Sequence, residues 1–401
     1  MGKRYSPAGR RISINKQCFR LWRQHGDKGF SVQAPGGGRT GRESYIMKIV
    51  VLAGGISTER DVSLSSGGMI YQALKKNGHQ VILLDVYLGI EGDTDGIFTW
   101  EQDWSALACA VGEKAPDPEA VKALRKDGGK GFFGPGVLKI CQEADCVFLA
   151  LHGANGEDGR IQACFELLGI SYTGADFVGS CLAMDKGIAK DIFRACQIPT
   201  PQGIRLRKGE AEQAKVPFPC IVKASCGGSS IGVCIARDEE AYRQAREEAF
   251  RYGDEVIVEQ YIQGREFSVG VLDGKALPVI EMAPKEGFYD YKNKYQSGTT
   301  VETCPAEIPA EKAVEMQEIS ERVFRALRLK SYARMDFVMS GEGEVFCLEA
   351  NTLPGMTPTS LLPQEAAAAG MDFGQLCEAI LELVKGTDDQ DGMGVGEGRQ
   401  V

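Results

Sequence analysis

Two carboxylates, an amide and a guanidinium recur at alternating positions in the stretch YARMDFVMSGEGEVFCLEANTLPGMTPTSL, residues 332–361. The stretch reads as a strand, a tight turn at 340–343, a second strand and a Gly/Pro loop. Side chains alternate faces along a strand. Arg334, Asp336, Glu349 and Asn351 are therefore expected on one face, with Met335, Phe337, Phe346 and Leu348 on the other. A four-residue loop pairs Met339 with Glu344, which sets Asp336 opposite Cys347 and Arg334 opposite Glu349. Oxygen ligands gathered like this suit Mg²⁺, above all a Mg²⁺ that also grips phosphates. An exposed sheet face with a surface ion pair is the alternative.

Further chemistry lies upstream. The turn SCGGSSIG at 225–232 presents backbone N–H groups and the hydroxyls of Ser229 and Ser230, a nest for phosphate oxygens. Lys223 precedes it, and Lys186 opens a helix further back. No G-K-[ST] follows the glycines, so this is not a Walker A loop; a plain hairpin loop is the alternative. Glu259, Gln260, Tyr261 and Ile262 end a strand whose edge can hydrogen-bond adenine, and Glu266 can accept from ribose hydroxyls. Glu59 and His152 each follow the carboxyl end of a strand, where open α/β sheets bind ligands. Their structural alternatives are a helix-leading acid and a satisfied core histidine. The segment GFYDYKNKYQSG at 287–298, with Lys294 and Tyr295, reads as a mobile cover over a site, or else as a surface loop.

These groups need elements to hold them. The 401 residues are 43% apolar and 25% charged, the composition of a globular protein of two or three domains. No apolar run has the length of a membrane span. The net charge is −9, yet residues 1–46 hold ten Lys/Arg against two Asp/Glu, leaving an acidic body. That body argues against nucleic acid as a partner. Thirteen cysteines without CxxC pairs point to a reducing, cytoplasmic setting.

Residues 1–46 are basic, Gly-rich and aperiodic, and are expected to be a disordered extension, with Met47 as the functional start. A targeting or nucleic-acid arm is the alternative. From Met47 the pattern alternates strand and helix, giving an N-terminal α/β substrate domain over 47–174 without a G-x-G-x-x-G dinucleotide loop. A central unit spans 175–262 and a C-terminal unit 263–386, the latter with a hairpin at Asp273-Gly274. Residues 387–401 are expected to be a disordered tail.

Six motifs in order then resemble one family: GGISTERDVSLSSG, LHGANGEDGRIQ, YTGADFVGSCLAMDK, KASCGGSSIG, EGFYDYKNKY, and ARMDF with LEANTLPGMTPTS. From Met47 to about 385 the chain looks like a D-alanine–D-alanine ligase of the ATP-grasp superfamily. The resemblance implies an α/β fold, α+β in its C-terminal parts: a Rossmann-like preATP-grasp domain followed by a two-subdomain ATP-grasp fold. It implies a homodimer that takes D-alanine and ATP, uses two Mg²⁺ (Mn²⁺ as the alternative ion), and supplies peptidoglycan synthesis.

By similarity, Glu59 binds the ammonium of the first D-alanine, joined by Ser229 and Tyr295 in a network that fixes the cover. His152 lies near that substrate. Lys294 meets the γ-phosphate. Arg334 and the Gly355 N–H stabilise the oxyanion, and Ser360 with the Leu361 N–H holds the second substrate's carboxylate. Asp336, Glu349 and Asn351 hold the metals. Tyr295 favours an amine nucleophile over D-lactate. Cys226-Gly227 and Pro358-Thr359 depart from common family residues, which leaves D-serine open as second substrate. A D-alanine–D-serine ligase and an inactive nucleotide-binding relative are the competing readings; the intact set of Arg334, Asp336, Glu349, Asn351 and Lys294 argues against the latter.

Overall fold

The computed structural model describes residues 46–112, 116–210, 215–228, 232–285 and 299–391, with side chains to 384. The first three strands are continuous apolar runs, as buried parallel strands must be. They are β1 (Lys48–Ala53), β2 (Gln80–Asp85) and β3 (Cys146–Leu149), in the order β2-β1-β3. Helix α1 (Arg60–Lys76) follows β1 and returns the chain to β2. Gly67 packs so closely that an added Cβ would meet Ala53 and Leu83 at 2.7 and 2.9 Å. Short helices α2 (Pro118–Lys122) and α3 (Val137–Glu143) lie between β2 and β3, and α4 (Arg160–Leu168) follows β3.

Helices α5 (Phe177–Met184) and α6 (Lys186–Ala195) are split at Asp185, whose extended backbone ends one, while its carboxylate accepts from the Ile188 N–H and caps the other. Then come β4 (Gly203–Arg207), β5 (Cys220–Ala224), β6 (Cys234–Ala236), α7 (Glu239–Ala249) and β7 (Glu255–Gln260). These strands form an antiparallel sheet in the order β4-β7-β5-β6.

The last sheet is built from β8 (Gly264–Leu272), β9 (Lys275–Ala276), β10 (Ile280–Pro284), β11 (Thr300–Thr303), β12 (Tyr332–Ser340) and β13 (Val345–Asn351). Its order is β11-β10-β8-β12-β13, with β9 on β8. The expected hairpin at Asp273-Gly274 joins β8 to β9. Both turn residues have positive φ, 51° and 71°, which matches a primed turn. Helix α8 (Ala310–Ala326) precedes β12, and α9 (Leu361–Ala368) and α10 (Phe373–Asp391) follow β13. The last helix runs to Asp391, into the stretch expected to be a tail.

Packing crosses the boundaries drawn from sequence. Ala183, Ala189 and Phe193 of α5 and α6 share a core with Phe267, Met335 and Phe337 of the C-terminal sheet. Leu376, Cys377 and Ile380 of α10 join the core of the N-terminal sheet. Asn77 and His79, beyond the end of α1, reach Glu378 on α10 at 2.8 and 3.0 Å. The N-terminal sheet is thus covered by the end of the chain.

The register of the β12–β13 hairpin corrects the expectation from sequence. Met339 pairs with Val345, not Glu344, because the Ser340 N–H donates to the Glu344 carbonyl at 2.9 Å and closes a longer turn. Phe337 pairs with Cys347, but Asp336 pairs with Glu349. Leu348 is the extra residue of a β-bulge. Before the bulge Val345 and Cys347 enter the core; after it Ala350 does. Phe346 and Leu348, expected inside, are only partly buried. The bulge shifts the alternation by one residue, which lets Cys347 face the core and Glu349 face the site.

Candidate active site

Three strands lay the chemistry out as two rows. Gly270, Arg334 and Asn351 stand opposite one another across β8, β12 and β13, and Ser268, Asp336 and Glu349 form the adjacent row. Arg334 grips Asp336 with two bonds, 2.9 and 2.8 Å. Asp336 also accepts from the Ser268 hydroxyl at 3.0 Å and the Asn351 amide at 3.1 Å. Among the described residues no group of three or more His, Cys, Asp or Glu forms a metal cluster. The donors here are two carboxylates and an amide, a hard-oxygen set that suits Mg²⁺ sharing its shell with phosphate and water.

Gly270 has no side chain because Glu365 fills its place. An added Cβ would overlap the Glu365 Oε2 and the Leu362 Cδ1. Glu365 is fully buried. Burial raises its pKa to about 8, against the pull of the neighbouring Arg334 charge.

The lysines converge on the same place from the central unit. Lys186, first residue of α6, reaches the Gly227 carbonyl at 2.5 Å and Glu349 at 3.5 Å. Lys223 on β5 is buried and pairs with Glu259 on β7 at 2.5 Å. Lys190, one turn along α6, pairs with the same carboxylate at 2.7 Å. It also donates to Thr200 Oγ1 at 2.7 Å, and that hydroxyl donates to the Cys347 carbonyl at 2.8 Å beside the bulge. Burial holds the Lys190 pKa below its ordinary value. Glu259 and Glu349, outweighing burial, hold Lys223 above it.

The expected adenine edge is narrower than the sequence suggested. The Gln260 N–H donates to the Gln202 carbonyl at 2.8 Å and the Tyr261 N–H to Pro219 at 3.3 Å. Two of its donors are therefore already used. Glu259 turns its side chain to the lysines. Ile262 and Glu266 follow at the crossing into β8, with Glu266 inside that strand.

Glu59 enters from the N-terminal domain as the residue before α1. Arg60 beside it is anchored to Asp85 and to the Gly55 carbonyl. The buried Glu59 carboxylate lies against two glycine backbones: Cβ atoms added at Gly153 or Gly228 would each come within 2.9 Å of its Oε2. The HGANGEDG loop and the Gly-rich turn therefore meet at Glu59. His152 is buried. Its Nε2 lies 3.4 Å from Ser66 Oγ and its Nδ1 3.7 Å from Glu157. Burial lowers the His152 pKa, but Glu157 and Glu59 outweigh it and the net shift is upward. Ser66 also accepts from the Met356 N–H at 3.3 Å, tying α1 to the loop before α9. In that loop Ser360 Oγ accepts from the Thr357 N–H at 3.1 Å and would sit 2.8 Å from a Cβ at Gly355. Leu361 opens α9, where helix N–H groups suit an anion.

The structure thus brings together Glu59, His152, Lys186, Lys223, Arg334, Asp336, Glu349, Asn351, Gly355, Ser360 and Leu361. Ser229, Ser230, Lys294 and Tyr295 lie outside the described residues. A narrow cleft joins the units, lined by Glu157, Lys186, Gly227, Gly228, Glu349 and Asn351. Sequence reasoning missed Lys190, Glu157, Ser268 and Glu365. Lys190 carried a signal, since it lies four residues after Lys186 on one helix face. Glu365 carried none, because PQEAAAAG reads as an ordinary exposed helix.

Comparison with known proteins shows the family. The family description "D-ala D-ala ligase N-terminus" matches residues 48–175, and "D-ala D-ala ligase C-terminus" matches 183–382. A D-alanine–D-alanine ligase of Pediococcus pentosaceus is 43% identical over 84% of this chain and 97% of its own length. One of Lacticaseibacillus casei is 40% identical over 85% and 95%. A crystal structure of the Bacillus anthracis D-alanine–D-alanine ligase complexed with ATP superposes with TM-score 0.67 at 31% identity, covering 87% of this chain and all of that one. An Enterococcus faecalis D-Ala:D-Ser ligase gives 0.66 at 28% identity, covering 85% and 100%. With both halves of the chain matched and the site assembled between them, the protein belongs to the D-alanine–D-alanine ligase family.

Proposed function

We propose that the protein joins two D-alanines at the expense of ATP, through an acyl phosphate, to give D-alanyl-D-alanine. The observation that carries the reading is the convergence of Glu59, the Gly-rich turn with Lys186, and the Asp336–Glu349–Asn351 face. A free carboxylate is a poor acyl donor until it carries a leaving group. The first D-alanine's carboxylate attacks the γ-phosphorus of ATP, and ADP leaves. The amine of the second D-alanine then attacks the acyl carbon, and phosphate leaves.

Each half has its residues. Glu59 takes the first ammonium, with His152 beside it. Lys186, Lys223, Ser229 and Ser230 take the phosphates, Lys294 the γ-phosphate, and residues 259–262 and Glu266 the nucleoside. Two Mg²⁺ held by Asp336, Glu349 and Asn351 would neutralise charge on the transferring phosphoryl group, and Mn²⁺ suits the same donors. Arg334 and the Gly355 N–H stabilise the tetrahedral oxyanion. Ser360 and the Leu361 N–H at the start of α9 hold the second carboxylate. Ser229 and Tyr295 fix the cover, which excludes water from the acyl phosphate.

The curated relatives at 43% and 40% identity are D-alanine–D-alanine ligases, which supports D-alanine as second substrate. No helix among the described residues is long and apolar enough to cross a membrane. The family resemblance supports a cytoplasmic homodimer. The test is phosphate release from ATP, Mg²⁺ and D-alanine, with D-serine and D-lactate competing and the product identified by mass. D-alanyl-D-alanine as the main product is expected; absence of turnover with D-alanine alone would overturn the reading.

A further inference from the structure

The Lys190 side chain has no part in the mechanism above, yet it is among the most buried charged groups in the protein, 1% exposed. Its ammonium shares Glu259 with Lys223: Lys190 lies 2.7 Å from one carboxylate oxygen and Lys223 2.5 Å from the other. One carboxylate cannot neutralise two ammonium groups. Lys186 and Glu349, 3.5 Å apart, add one charge of each sign. Among the described residues these five side chains sum to one positive charge in excess, with Lys190, Lys223 and Glu259 buried and Lys186 and Glu349 partly exposed at the cleft.

An excess charge in a buried site is costly unless an anion arrives. The strain falls on Lys190, the more deeply buried of the two ammonium groups, with its side chain 1% exposed against 9% for Lys223. Without Lys190, Glu259 and Lys223 would form a closed neutral pair. With it, Glu259 already has a cation, and Lys223 can turn to another anion without leaving a buried carboxylate alone.

We propose that Lys190 is a positioning residue for nucleotide binding: by occupying Glu259 it releases Lys223 for the phosphates and supplies the uncompensated charge that draws them in. This rests on the reading that Lys223 faces ATP phosphates. A second contact separates charge from packing. Lys190 also donates to Thr200, which bonds the Cys347 carbonyl beside the bulge. Removing the Thr200 hydroxyl alters that contact and leaves the charge count intact.

The experiment measures ADP and ATP binding by calorimetry, without D-alanine, and the thermal midpoint without nucleotide. The parent must bind nucleotide; if it does not, the ligase reading fails, whatever the variants do. Lys190→Met is expected to weaken binding at least ten-fold while its unliganded midpoint stays equal to the parent's or rises, because a charged excess has been removed. Thr200→Val is expected to bind within three-fold of the parent. Should Lys190→Met not fold, Lys190→Gln carries the same test. The inference is overturned if the Lys190 variant binds nucleotide within three-fold of the parent. It is also overturned if its affinity falls only together with its midpoint, or if Thr200→Val loses as much affinity.

Discussion

Glu365 carries its carboxyl in full burial against the Gly270 backbone. Unfolded, it ionises above about 4.5; folded, it stays protonated up to about 8. Its contribution to stability is therefore fully present below pH 4.5 and is lost as pH rises to about 8, each pH unit in that window costing at most about 1.4 kcal/mol. Glu365→Gln cannot ionise. Relative to the parent it should gain stability as pH rises from 5 to 8, by a few kcal/mol at most. Urea midpoints across that range would check this, and parallel curves for the two proteins would contradict it. Glu349→Gln makes the opposite kind of prediction. Its carboxylate faces the cleft, so turnover should fall by about 10²-fold or more, with little change in thermal midpoint. Near-parental turnover would remove Glu349 from the metal assignment.

Elements decide which of these side chains meet. The β13 bulge is the clearest case, since it turns a strand that begins with Cys347 in the core into one that ends with Glu349 and Asn351 on the site. The Cys347 backbone freed from the ladder bonds Pro199 and Thr200 instead, which attaches the bulge to the central unit. Gly270 shows the same dependence on close approach. In Gly270→Ala the new methyl would strike Glu365 and Leu362, and a loss of about 1–3 kcal/mol is expected. Adding Glu365→Ala should restore part of it, with the Leu362 overlap remaining, a coupling that a double-mutant cycle measures directly. Additive losses would mean that the two residues do not compete for the space.

For the whole molecule, the end of the chain is tied back to its beginning. Glu378 on α10 receives Asn77 and His79 from beyond α1, while α10 fills the N-terminal core. Glu378→Ala should cost about 1–2 kcal/mol in unfolding experiments and leave turnover of the folded enzyme unchanged, because these contacts lie away from the cleft. A fall in turnover with unchanged stability would show that this contact acts on the site. Local pattern revealed much of this protein. Apolar runs marked β1 to β3, Asp273-Gly274 marked a hairpin, and alternation put Arg334 and Asp336 on one face. Ordered motifs named Glu59, Lys186 and Ser360 before any geometry was known. These features depend on neighbours in sequence, so sequence determines them. The β13 bulge, the spent N–H groups of Gln260 and Tyr261, the buried Glu365 carboxyl and the two lysines on Glu259 are different. Each arises where strands or helices far apart in sequence compete for the same volume, hydrogen bonds or charge, and only the tertiary structure decides that competition.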